Sequence, residues 1–210
     1  MYLLERISLA NWNLLIVEDI EIREATALIG SVGVGKNSIL DAIQTVITGN
    51  QKRRMGLNRA AGADRSKRTV LEYCLGKTEE TIADDTYRRR CETILVLSFR
   101  DEETGLPISF GLVLDADESE PREQTLCRFV AEGVSFSFER FADRQPSGLV
   151  EVPAQPVLLA RIEAENPSGY RTFNARAESF IEAYLTAMRR RGAVPDVNGY
   201  LVRFKNAIAF

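Results

Sequence analysis

A chain of 210 residues with a net charge of −3, 45% hydrophobic and 27% charged residues has a globular composition and enough length for a sizeable core. As a whole it is not a polycation, no run approaches the roughly 18 apolar residues of a membrane span, and without histidine it builds neither a Ser-His triad nor a His-metal site. Cys74, Cys91 and Cys127 lack metal-ligand spacing and fit a reducing cytoplasm, and the start Met1-Tyr2-Leu3-Leu4-Glu5-Arg6 lacks the features of a signal peptide.

In chain order, residues 3–10 and 14–22 read as two strands joined near Asn11-Trp12-Asn13, the second alternating through Val17, Asp19, Ile20 and Ile22. Thr26-Ala27-Leu28-Ile29 reads as a short buried strand. It leads into Gly30-Ser31-Val32-Gly33-Val34-Gly35-Lys36-Asn37-Ser38, which follows the Walker A pattern G-x-x-x-x-G-K-[ST] except that Asn37 stands where Ser or Thr is expected. Behind the loop, Ile39, Leu40, Ile43, Val46 and Ile47 recur at helical spacing and predict an apolar stripe, with Gly49 as the stop.

Strand, glycine loop and helix together make a phosphate cradle. Glycines accept positive φ and let the backbone approach closely, while exposed N–H groups and the positive end of the helix dipole meet the charge. Lys36 reaches the β- and γ-phosphates of ATP. The next residue ordinarily gives a hydroxyl to Mg2+, an ion that takes few protein ligands and keeps its waters. The amide oxygen of Asn37 is also hard and neutral but sits farther out, so phosphate binding is kept and metal placement weakened. Ser38 is the substitute ligand to consider. A glycine-rich turn that binds nothing is the competing reading.

Residues 50–68 are polar. They carry Lys52, Arg53, Arg54, Arg59, Arg65, Lys67 and Arg68 against one acid, Asp64, a local excess suited to phosphate backbones or to a solvated loop. Residues 68–76 read as a short helix and 77–90 as loop. Residues 91–100 predict a strong strand, paired as a hairpin across 101–105 with a strand running through Leu114. An acidic loop with Pro121 covers 115–123, two short strands cover 125–141, and Pro146, Gly148, Pro153 and Pro156 punctuate the next stretch of chain. Residues 174–191 predict an amphipathic helix with Phe180, Ile181, Tyr184, Leu185 and Met188 on one face and Gly192 as its stop. Residues 196–208 predict a last helix. The arginine runs 88–90 and 189–191 are weaker basic features, the second sitting where a helix end favours positive charge.

A P-loop ATPase also needs a metal-holding Asp at the end of an apolar strand. Gly111-Leu112-Val113-Leu114-Asp115 ends in one, yet Ala116 follows where a catalytic Glu belongs, so a hairpin strand entering an acidic loop is the simpler reading. No signature of the LSGG type occurs, and the βα units of a complete small kinase are missing after residue 50.

The strand pair with Asn11-Trp12, the loop Gly30–Ser38, Leu40-Asp41-Ala42-Ile43-Gln44, Thr48-Gly49-Asn50 and Leu57-Asn58-Arg59-Ala60-Ala61 resemble the N-terminal head segment of SMC-like ATPases. Within these the pattern is similar to the MukB-like branch, closest to the JetC-type subunits of the Wadjet anti-plasmid systems, over roughly residues 1–75. The resemblance implies an α/β fold with α+β character: one domain, 1–210, forming the N-terminal half of an ABC/SMC-type head. Residues 1–50 are then the nucleotide core, 51–90 the basic region, 91–150 antiparallel strands, and 154–208 helices leading to a coiled coil.

It further implies ATP and Mg2+ sandwiched between two heads, Asn11 and Trp12 near the nucleotide base, and DNA held sequence-independently on the basic loop. The implied partners are a C-terminal half-head carrying Walker B and the signature, a second head in a homodimer, kleisin-like and accessory subunits, and a nuclease of a defence system. The setting is bacterial, nucleoid-associated and without a membrane. Gln124, Gln145 and Gln155 lack the context of a Q-loop, and Asn206 is a distant stand-in. Two other readings stay open. One is a nucleotide-binding sensor or scaffold without hydrolysis, consistent with Asn37; the other is a small P-loop phosphotransferase using Asp115.

Overall fold

The computed structural model describes residues 2–23, 26–29, 35–57, 68–147, 150–174 and 176–189. It opens with strands β1 (Tyr2–Trp12) and β2 (Leu15–Glu21). Asn11 and Asn13 near their junction take φ of 54° and 52°, a left-handed conformation that asparagine tolerates better than most residues. Helix α1 (Lys36–Ile47) comes next, then a 3-10 turn (Lys52–Arg54) and the short helices α2 (Val70–Leu75) and α3 (Glu79–Ala83). Both short helices start with capping boxes, Thr69 with Glu72 and Thr78 with Thr81, which satisfy otherwise orphaned N–H groups.

Strands β3 (Arg90–Asp101), β4 (Pro107–Asp117) and β5 (Gln124–Glu132) form a meander. After it come α4 (Phe138–Phe141), the two-residue strands β6 (Asp143–Arg144) and β7 (Val150–Glu151), α5 (Gln155–Glu165), β8 (Tyr170–Thr172) and α6 (Ala177–Arg189). The main sheet is antiparallel throughout, in the order β2-β1-β3-β4-β5-β8. The result is a mixed fold of antiparallel sheet and helices, with the α+β character expected. Among the described residues no helix is long and apolar enough to cross a membrane.

Both faces of the sheet are covered. On one face Leu95, Leu97, Phe110 and Leu112 pack with Val46, Tyr73, Phe180 and Tyr184 of α1, α2 and α6. On the other, Ile94, Val96, Val113 and Phe129 pack with Phe138, Phe141, Leu158 and Ile162 of α4 and α5. Successive strand residues point to opposite faces. A strand buried on both sides therefore reads as the continuous apolar run seen from Ile94 to Leu97.

Three expectations are corrected. Residues 26–29 are not a buried strand: they join no ladder, and Leu28 and Ile29 are 37% and 90% exposed. Apolar composition makes a strand only where a neighbour accepts its hydrogen bonds. Residues 77–90 contain α3, which apolar periodicity misses because only its Thr78 cap marks it. Residues 125–141 hold one strand and then α4, since Gly133 at φ 75° turns the chain. Ser137 Oγ then accepts from Arg140 N, and Asp19 Oδ2 accepts from Phe138 N at 2.8 Å, which starts a helix. The expected helix over 196–208 and Gly192 lie outside the described residues.

Candidate functional site

Of the phosphate loop, Gly30, Ser31, Val32, Gly33 and Val34 lie outside the described residues; Gly35 to Ser38 are described. Gly35 has φ 91°, and an added Cβ would meet nothing within 4 Å. The glycine is thus demanded by backbone conformation, not by crowding. Lys36 opens α1 half-buried and Asn37 is exposed. The first turn has neither a side-chain cap nor an acidic residue, so its N–H groups and dipole are suited to an anion. These residues fit a nucleotide phosphate.

The metal ligands fit less well. Ser38 is 4% exposed and its Oγ accepts from Asn13 Nδ2 at 2.9 Å. It faces the protein interior, so a Mg2+ contact through Ser38 would compete with this bond. Between Asn37 and Ser38, only Asn37 presents its side chain outward. Among the described residues no group of three or more carboxylates or thiols is arranged to hold a metal.

Trp12 is fully buried, so its indole offers no face to a nucleotide base as implied above. It buttresses α1 instead: Nε1 donates to the Ser38 carbonyl at 2.6 Å, and the ring stacks on Tyr73 with centroids 4.7 Å apart. Asn11 is half-buried and ties down β3, its Nδ2 donating to the Glu92 carbonyl at 2.9 Å. Tyr73, which no sequence motif singles out, donates its hydroxyl to Asp41 Oδ2 at 2.5 Å. Burial first, then the Asp41 charge, pushes the Tyr73 pKa up. Arg68 lies 5.5 Å from the Tyr73 ring centroid.

The inward face of α1 therefore carries a buried polar row beside its apolar residues. Ser38, Asp41, Thr45 and Thr48 are all at most 4% exposed, whereas Ile39, Leu40 and Ile43 are only half-buried. Of the predicted apolar stripe, Val46 and Ile47 are buried in the core, while Ile39 and Ile43 pack against its edge. The polar spacing of three, four and three residues is itself a helical period in the sequence. It is easily passed over because apolar residues are normally the inner ones.

Of the basic residues, Lys52, Arg53 and Arg54 are exposed on the 3-10 turn, while Arg59, Arg65 and Lys67 lie outside the described residues. The run 88–90 is engaged internally: Arg88 donates to the Asn13 and Cys74 carbonyls, Arg89 pairs with Asp85 and Glu118, and Arg90 pairs with Asp115 at 3.2 Å. Asp115 shares an open polar groove of about 790 Å³ with Asn50 and Gln124. Asn50 follows the far end of α1, whose 12 residues span about 18 Å. Asp115 is held there by Arg90, on a groove that opens beside the end of α1.

Residues 4–64 match a family model described as the P-loop containing region of AAA domain. The match spans β1, β2, the phosphate loop, α1 and the 3-10 turn. No curated protein matches the chain. A P-loop region implies nucleotide binding and usually Mg2+, in agreement with the uncapped, acid-free start of α1.

Proposed function

We propose that the chain is the ATP-binding N-terminal half of a split head from an SMC-like DNA motor. The observation that carries this reading is the P-loop match at 4–64 combined with the segment leading into the loop. Residues 26–29 join no ladder and leave Ile29 90% exposed. An apolar segment that leads into a phosphate loop and joins no ladder among the described residues is suited to pairing with strands from a C-terminal half-head. In this reading Lys36 and the α1 N-terminus hold the triphosphate, and Mg2+ lowers its charge when bound. The turn Lys52–Arg54 offers backbone-directed contacts to DNA. The second head, the kleisin-like and accessory subunits and a nuclease partner follow from the resemblance, with plasmid defence or chromosome condensation as the setting.

Asn37 and the inward-facing Ser38 favour one alternative, a nucleotide-binding scaffold that does not hydrolyse. Turnover by the purified chain, with and without duplex DNA, separates these readings from a phosphotransferase. Bound ATP without turnover supports the half-head; steady turnover with a small acceptor overturns it. In the assembled motor, Asn37→Ser raising DNA-stimulated turnover favours the motor over the scaffold.

A further inference from the structure

We propose that Tyr73 is a positioning residue for the phosphate loop, fixing the first turns of α1 through Asp41 and Trp12. The inference rests on the nucleotide-binding reading above. Three elements meet in a closed cycle of hydrogen bonds. Asn13 N donates to the Tyr73 carbonyl at 2.6 Å, and Asn13 Nδ2 donates to Ser38 Oγ at 2.9 Å. Tyr73 returns to the same helix one turn later, its hydroxyl on Asp41 Oδ2 at 2.5 Å. Inside the cycle the Trp12 indole, nearly parallel to the Tyr73 ring at 9°, donates to the Ser38 carbonyl. Arg88 closes it from outside through the Asn13 carbonyl.

Lys36 and Asn37 sit on the turn that this cycle grips. A closed cycle allows little rotation of α1 about its axis, because turning Ser38 away from Asn13 also pulls Asp41 from Tyr73. Packing alone does not explain the arrangement. A fully buried carboxylate is costly unless hydrogen-bonded, and apolar residues would fill the same space more cheaply. Helix orientation sets where the N–H groups and Lys36 point, so the cycle sets the geometry offered to the phosphates.

The test uses the whole chain, whose single tryptophan lies in the cycle. ATP is titrated by calorimetry and by Trp12 fluorescence, for wild type and Tyr73→Phe, well below either melting temperature. The phenylalanine keeps the stack and removes only the hydroxyl. The expected result is about tenfold weaker ATP binding, the scale of one hydrogen bond to a charged group. The ATP-induced Trp12 emission change should shrink with it. Unchanged affinity and emission response in a merely less stable Tyr73→Phe would overturn the positioning role while leaving nucleotide binding intact. Absence of ATP binding by folded wild type would remove the nucleotide reading and this inference together. If Tyr73→Phe does not fold, wild type decides: calorimetric ATP binding with no Trp12 response overturns the proposal.

Discussion

Replacing Lys52, Arg53 and Arg54 together by alanine tests the DNA role of the basic segment. The three residues form one 3-10 turn and all are exposed. At three residues per turn their side chains leave the axis about 120° apart, so at most two face a single polyanion. Arg54 also lies in the field of Glu178, whose pKa is lowered first by hydrogen bonds from its own backbone and Gln51 and then by the Arg54 charge. About two phosphate contacts are therefore at stake, and each contributes roughly 0.9 to the slope of log K against log salt. The slope should fall by about 1.8, and the binding deficit at 50 mM relative to 200 mM salt should be about 12-fold larger. Fluorescence anisotropy of a labelled duplex across a KCl series reads this directly. A triple variant with the wild-type slope would refute the assignment, whatever its absolute affinity.

Gly76→Ala should destabilise by about 2–4 kcal/mol, because Gly76 has φ 68° and its Cβ would lie 2.7 Å from the Asn13 carbonyl oxygen; urea denaturation showing a loss below about 0.5 kcal/mol would contradict this. Glu118 accepts from Tyr87, Arg89 and Lys77, and these bonds hold its pKa at about 2. Because the folded value lies below the ordinary 4.5, this contribution is complete above the ordinary carboxylate range and is lost as pH falls toward 2. Glu118→Gln should therefore flatten that part of the acid-unfolding curve. Burial raises the thiol pKa of Cys74, and raises that of Cys127 to about 11; neither should react with a thiol reagent in the native protein at neutral pH, while both should in denaturant. Native labelling of Cys74 as fast as in denaturant would show that α2 opens.

The sequence makes some parts of this fold plain. The two opening strands, the β3–β4 hairpin and α6 are long and strongly patterned, and the structure has them within a few residues of expectation. Phe180, Ile181, Tyr184 and Met188 are buried as their spacing requires. The phosphate loop is legible for a different reason: its glycines and lysine answer to ligand chemistry, not to packing. The features hidden from sequence depend on long-range partners. Residues 26–29 have the composition of a strand and no ladder. Val134 and Phe136 alternate like a strand but lead into the Phe138–Phe141 helix once Asp19, more than a hundred residues earlier, accepts its first N–H. Tyr73 and Asp41 are 32 residues apart, and only the folded chain brings hydroxyl to carboxylate. Trp12 buttresses α1 through a contact the sequence does not announce, because a motif position does not say which way a ring faces.

The central claim is that the start of α1 holds a nucleotide, and calorimetric titration of ATP into the chain, with and without Mg2+, tests it most directly. Lys36→Ala serves as the reference and Asn37→Ser as the metal probe. The account predicts ATP binding by wild type that is lost in Lys36→Ala, and a gain from Mg2+ that appears only in Asn37→Ser. Wild type that binds ATP no better than Lys36→Ala, in both the presence and absence of Mg2+, would contradict it.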